Sequence, residues 1–297
     1  MKRITFIINP ISGTKQKREI PGLIADIFHG SGIDPEIVYT ERAGHATEIA
    51  AQKAKDGVDV VVAVGGDGTV NEVAKALVYT DTALGIVPCG SGNGLARHLG
   101  IPMNRKKAIS LFLTGGIETI DHGKINGDRL FFCSCGVGFD ALVSWKFAHA
   151  AKRGLMTYCS IAFKENFKYK PETYTLKTDT GEEITDKAFV IACGNAAQYG
   201  NDAFIAPHAS AQDGLLDVTL IQPINVCNAV SLAYKLFAKK IDTHKKVRVL
   251  RCHKLTLIRE KEGVMHFDGE PIMVSKNIDI EIVKGGLKAF LPIDAKV

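Results

Sequence analysis

Short apolar runs alternate with amphipathic stretches along the first part of the chain. RITFIIN (3–9), EIVYT (36–40), VDVVVAV (58–64) and ALGIVP (83–88) predict strands. A run as apolar as VDVVVAV leaves no face for water, which marks a parallel sheet covered on both sides. Between these runs, KREIPGLIADIFHGSG (17–32) sets Ile20, Leu23, Ile24 and Ile27 on one helical face. HATEIAAQKAK (45–55) turns Ile49 and Ala50 inward, and TVNEVAKALVY (69–79) repeats Val70, Val73, Ala74 and Leu77 at helical spacing. Strand–helix alternation of this kind predicts a doubly wound α/β domain.

The period changes near residue 118. ETIDHGKINGDRLFFCSCGVG (118–138) predicts strands joined at Asn126-Gly127, a hairpin signal. Residues 141–170 read as helical and basic. TYTLKT, AFVIACG, LLDVTLIQ, KLTLIRE, MHFDGE and IDIEIV follow as short strands, interrupted by a helix over VCNAVSLAYKLFAKK (226–240). Short strands separated by turn residues predict a mainly antiparallel β-domain. The expected division is 1–120 and 121–297, with a return of the extreme C-terminus to the first domain left open.

Composition narrows the classes without choosing one. The 297 residues are 46% hydrophobic and 23% charged, with 37 basic against 32 acidic side chains and a net charge of +5. That balance does not require nucleic acid, and it favours an anionic ligand or surface. No apolar run reaches the length of a membrane span, and MKRITFIINP lacks a signal-peptide cleavage pattern. The 7 cysteines are scattered and predict reduced thiols in a cytoplasmic protein. The 9 histidines show no metal-ligand spacing.

GGDGTVN (65–71) follows the third apolar run and opens a helix. Glycines allow close backbone approach, and the helix start offers N–H groups to phosphate. The loop carries an acid where a phosphate cradle usually carries lysine. Asp67 would then hold Mg²⁺ or take a proton from an attacking hydroxyl. A tight strand–helix turn capped by Asp67 and Thr69 is the competing reading. The loop fits neither GxxxxGK[ST] nor GxGxxG. VPCGSGNGLAR (87–97) is a second glycine loop after the next strand, and NPISGTK (9–15) and Thr40 end the first two. Four strand ends converging on one edge predict a ligand rim.

GGDGTVNEV with PCGSGNGLAR downstream, and NP closing the first strand, resembles the diacylglycerol kinase / sphingosine kinase catalytic superfamily, including its soluble bacterial lipid kinases. GVGFDA (136–141), KRG before Tyr158, PHASAQDGLLDV (207–218) and HFDGEP (266–271) extend the resemblance over most of the chain. It implies an NAD-kinase/phosphofructokinase-like α/β domain that binds ATP, a C-terminal β-sandwich, and transfer of the γ-phosphate to a lipid hydroxyl. By matching position, Asn9, Thr40, Gly65, Gly66, Asp67, Gly68, Thr69, Val70, Asn71 and Ser91 would line the nucleotide. Asp67, Asp268 and Glu270 would be the catalytic or metal-organising acids. The Asp213 side chain, with backbone carbonyls near Ser210 and Leu215, would hold a structural Mg²⁺. GSGN (90–93) stands where the soluble bacterial members usually read GTxN and resembles the sphingosine and ceramide kinase branch, while Gly94 departs from the usual aspartate or alanine, which leaves the acceptor lipid open.

Lys152 and Arg153 beside apolar residues, and the basic cluster KKIDTHKKVRVLR (239–251), would suit an anionic membrane. Each also fits a solvated face or a charged edge strand. An NAD-kinase-like enzyme with a soluble acceptor and a non-catalytic binding regulator are the other classes, and a homodimer stays open.

Overall fold

Four predicted runs form parallel strands: β1 (Ile4–Ile8), β2 (Glu36–Tyr39), β3 (Val60–Gly65) and β4 (Ala83–Pro88). Their spatial order is β2-β1-β3-β4. Every residue of β1, β3 and β4 is buried, as coverage on both faces requires. The computed structural model describes residues 2–10, 15–150, 154–293 and 295. They divide into two units, Met1–Asp121 with Gly285–Val297, and His122–Lys284.

In the first unit the connections are α1 (Ile20–Phe28), α2 (His45–Lys55), α3 (Asp67–Leu77), α4 (Gly94–His98) and α5 (Arg105–Thr114). α2 packs on α3, and α1 packs on α5. Phe6 meets Phe28 and Phe112 edge-on at 6.0 and 5.6 Å, and Phe112 lies 5.3 Å from Phe290. This aromatic stack fixes α1 and α5 against the sheet.

Two boundaries depart from the periodicity. Residues 15–19 form a 3₁₀ turn, and α1 begins only at Ile20 with proline in its first turn. α3 begins at Asp67 rather than Thr69, because Gly66 takes an extended conformation (φ −95°, ψ −171°) and starts the helix inside the glycine loop. The loop residues Ile11, Ser12, Gly13 and Thr14 lie outside the described residues, as do Lys152 and Arg153.

β5 (Gly116–Ile125) leads the chain into the second unit. There follow β6 (Arg129–Phe131), β7 (Ser134–Gly138), α6 (Phe139–Ala148), α7 (Leu155–Asn166), β8 (Glu172–Thr178), β9 (Glu183–Ala188) and β10 (Val190–Gly194). β11 (Leu216–Ile221), α8 (Val226–Phe237), β12 (Val247–Cys252), β13 (Lys254–Arg259), β14 (Gly263–Phe267), β15 (Glu270–Val274) and β16 (Asn277–Leu291) complete it. Asn126 and Gly127 turn β5 into β6 with φ of 49° and 83°, the left-handed pair that this hairpin needs.

One antiparallel sheet runs β12-β11-β10-β7-β14-β15, and in the second unit β16, β13, β8 and β9 pair antiparallel as another layer. Val137, Ile191 and Leu216 from the first layer meet Leu176, Leu257 and Ile280 from the other in one core. MHFDGE, a strand-like run whose Asp268-Gly269-Glu270 also reads as a hairpin turn, forms the β14–β15 hairpin with Asp268 and Gly269 at its turn (φ 46° and 84°). The last residues of β16 belong to the first unit, where Ala289 pairs with Leu84 and Gly285 N–H donates to Asp121 Oδ1 at 2.6 Å.

Six cysteines are free thiols, and the side chain of Cys227 lies outside the described part.

Candidate functional site

Parallel strands deliver their carboxyl ends to one edge, so Asn9, Thr40, the 65–67 loop and the 89–93 loop share it. The two glycine loops are clamped together. Cys89 N–H donates to Gly65 O at 2.7 Å. A Cβ on Gly90 would stand 2.6 Å from Gly66 Cα, so a side chain at Gly90 would force the loops apart.

Asp67 completes the clamp. Its Oδ2 accepts the Asn93 N–H at 2.9 Å and its Oδ1 accepts the Gly94 N–H at 2.8 Å. Asn93, held at φ 52°, accepts Gly90 N–H and donates to Gly90 O, both at 2.9 Å. Only the backbone of Gly94 is used, so the departure from the family pattern at this position leaves the clamp intact. The carboxylate therefore serves loop geometry first.

The other predicted nucleotide residues are placed as follows. Asn9 Nδ2 reaches Thr69 Oγ1 at 3.4 Å. A Cβ on Gly65 would stand 2.5 Å from Thr69, so the strand exit admits only glycine. Thr40 is buried and ties back to Ile8 O at 3.0 Å. Val70 and Asn71 are buried, Gly68 lies in the first turn of α3, and Ser91 is exposed at the loop tip.

Periodicity missed four neighbours. Glu72 accepts the Gly44 and Ala46 N–H groups at 3.0 and 3.3 Å and so caps α2 from α3. Lys17, buried, donates to Asn9 O, and burial holds its amine below the usual lysine range. Arg105 and Lys106 border a 540 Å³ pocket beside Gly90 and Asn93. No fixed spacing announces any of them.

His98 in α4 supplies a pH test. Its Nε2 is closed off from solvent, and burial pulls its pKa down to about 4. The unfolded chain takes up this proton near 6.5 and the folded chain only near 4. Stability is full above pH 6.5 and falls on acidification by about 1.4 kcal/mol per pH unit, to about 3 kcal/mol in all. Urea midpoints between pH 7 and 5 should fall for the natural chain and flatten in His98→Gln; an equal slope in both assigns the loss to other groups.

In the second unit, the Asp268 carboxylate sits in a nest of backbone donors. It accepts N–H groups from Phe132 (2.9 Å), Cys133 (2.8 Å) and Ser134 (3.1 Å). Glu270, the first residue of β15, is exposed. The two acids expected as a pair thus differ: Asp268 builds the turn, and Glu270 stands at an exposed position. Below the turn, Ser144 Oγ donates to Gly269 O at 2.8 Å. The buried Asp140 accepts from Tyr199 Oη at 2.7 Å and pairs with His266 Nε2 at 3.0 Å. GVGFDA carried Asp140 in the sequence, but nothing there pointed to Tyr199.

The turn expected to bind Mg²⁺ is held by side-chain hydrogen bonds and an arginine. Asp213 Oδ1 accepts the Leu215 N–H at 2.9 Å, and Ser210 Oγ accepts the Gln212 N–H at 3.3 Å. Arg251 of β12 places its guanidinium on Asp213 Oδ2 and, through Nε, on Asp217 Oδ1 at 3.2 Å. Burial pushes the Asp217 carboxyl up to about 6 in spite of that neighbour. Among the described residues no cluster of three acidic, histidine or cysteine side chains could hold a metal. Arg251 supplies positive charge to Asp213 and Asp217 in this arrangement. Arg251→Ala should cost about 2 kcal/mol, because it strands a buried carboxylate. Thermal melts of Arg251→Ala against the natural chain check this; equal melting temperatures mean that Arg251 does not hold the turn.

Residues 3–125 match the family model "Diacylglycerol kinase catalytic domain", and residues 133–288 match "YegS C-terminal NAD kinase beta sandwich-like domain". A diacylglycerol kinase of Mycobacterium tuberculosis (strain ATCC 25618 / H37Rv) is 34% identical over 228 residues, covering 74% of this chain and 73% of the relative. The chain belongs to the diacylglycerol kinase family. The Xanthomonas campestris protein named "Probable lipid kinase YegS-like" is 30% identical over 282 residues, 90% of each chain. The crystal structure of a diacylglycerol kinase from Bacillus anthracis str. Sterne shares the fold, with a TM-score of 0.73 at 21% identity over 100% of this chain and 98% of that one. Another structure from that organism reaches 0.82 at 23% identity over 100% and 96%. Among the described residues no helix is long and apolar enough to cross a membrane.

Proposed function

We propose that this member of the family is a lipid kinase that transfers the γ-phosphate of ATP to a lipid hydroxyl. The observation that carries the reading is the Asp67 clamp, which holds two glycine loops at the start of α3. Phosphoryl transfer needs positioning and charge neutralisation more than covalent chemistry. Glycine backbone and the N-terminal N–H groups of α3 suit phosphate, and Arg105 and Lys106 add positive charge nearby.

Asn9, Thr40, the 65–71 segment and Ser91 are the nucleotide residues in this reading. Mg²⁺ bound with ATP would neutralise charge on the phosphates, and the Asp67 carboxylate is an oxygen donor of the kind that ion takes. The acceptor oxygen forms its bond to Pγ as the bond from Pγ to the ADP oxygen breaks. The hydroxyl proton passes to a carboxylate, for which the exposed Glu270 is the candidate. Asp268 positions the turn that carries Glu270.

The test is transfer from labelled ATP to diacylglycerol, phosphatidylglycerol, sphinganine and ceramide in mixed micelles, with and without Mg²⁺. NAD and fructose 6-phosphate are soluble controls. A labelled lipid supports the reading and identifies the acceptor. Label on a control alone, or on nothing, rejects it.

A further inference from the structure

α8 is apolar on two sides. Its inner side buries Leu232, with Leu236 packed against the same cluster of Phe189, Val190, Ile205 and Ile221. Its outer side exposes Val230 (70%), Tyr234 (72%) and Phe237 (59%). These three stand at i, i+4 and i+7, one above another on the helix. A helix needs only one apolar face to dock onto its own domain. The second face has no role in the fold of this unit.

The charges along this segment are predominantly basic. No acid occurs between Asn225 and Ile241, and Lys235, Lys239, Lys240, Lys245, Lys246 and Arg248 follow against the single acid Asp242. Lys235 is pinned to Thr243 O and Oγ1 at 2.8 and 2.9 Å, and Lys239 lies 4.2 Å over the Phe204 ring. Lys239, Lys240, Lys245 and Arg248 are exposed. A partner for this face must therefore be apolar and anionic together. A second copy docked about a two-fold would set lysine against lysine. An anionic bilayer meets both needs, with phenyl and isopropyl groups at the acyl boundary, the tyrosine hydroxyl among headgroups and lysines on the phosphates.

We propose that the Val230–Tyr234–Phe237 face of α8, with its lysine rim, docks the protein on an anionic phospholipid surface. This deepens the lipid-kinase reading and rests on it for the reason to visit a bilayer.

The experiment is co-sedimentation of the full chain with phosphatidylcholine vesicles, with and without about one-third phosphatidylglycerol. Binding to the anionic vesicles is expected, and it should weaken with salt. Val230→Ser, Tyr234→Ser and Phe237→Ser combined should lower partitioning about tenfold or more with an unchanged melting temperature, because all three are exposed. Lys239→Glu with Lys240→Glu should lower it about tenfold on anionic vesicles alone. Equal partitioning of the triple-serine and natural chains, or no binding by the natural chain, overturns the proposal. Sedimentation velocity gives the remaining outcome: a dimer that the triple variant dissolves assigns the face to a second copy. Vesicle binding without lipid phosphorylation in the transfer assay would reject the kinase reading and leave the docking face standing.

Discussion

Asp67→Ala lowers kcat/KM for ATP by about 100-fold or more while the chain stays folded. The substitution removes both acceptors of the clamp, so Asn93 and Gly94 N–H groups lose their anchor to α3. The loops then part at the one place where Gly66 and Gly90 are in backbone contact. A displacement of about 1 Å in a positioning element costs on the order of 100-fold in rate. Asp67→Asn separates clamp from base. An amide oxygen can still accept one of the two N–H groups, so a clamp predicts activity between the natural enzyme and Asp67→Ala. A proton acceptor or metal ligand predicts that asparagine is as inactive as alanine. Steady-state kinetics on the three chains decide between these.

Asp268→Ala acts on stability. Three backbone donors, of Phe132, Cys133 and Ser134, lose their shared acceptor. A buried donor left unmade costs about 1–3 kcal/mol, and water reaches this half-buried turn to offset part of it. The left-handed backbone at residue 268 (φ 46°) also suits aspartate or asparagine better than alanine. The sum is about 3 kcal/mol, or roughly 10 °C in melting temperature for a unit of this size. Asp268→Asn keeps one acceptor oxygen and tolerates the backbone, so its loss is smaller. Glu270→Gln, at an exposed position, leaves the melting temperature in place and lowers kcat. Calorimetry on the three variants checks the division of labour: an Asp268→Ala chain as stable as Glu270→Gln means that the nest does not hold the turn.

The strand–helix alternation was enough to set the parallel sheet, because apolar period and run length are local properties of the chain. That sheet in turn obliges the ends of β1 to β4 to share an edge. Asn126-Gly127 was legible for the same reason, since a two-residue turn needs only its own backbone conformations. The glycine loops and the DGE segment were visible as motifs, but their roles were not. The partners of Asp67 lie 26 and 27 residues away, and those of Asp268 lie 134 to 136 residues away. Arg251 read as part of a basic cluster until the β11–β12 register set it opposite Asp217. Strand order and register choose such partners, and a carboxylate takes whichever donors the fold brings within 3 Å or so. The chemistry a residue can do was therefore written in its type and its neighbours. Whether it binds, clamps or presents a charge to solvent was decided only when distant backbone groups came to surround it.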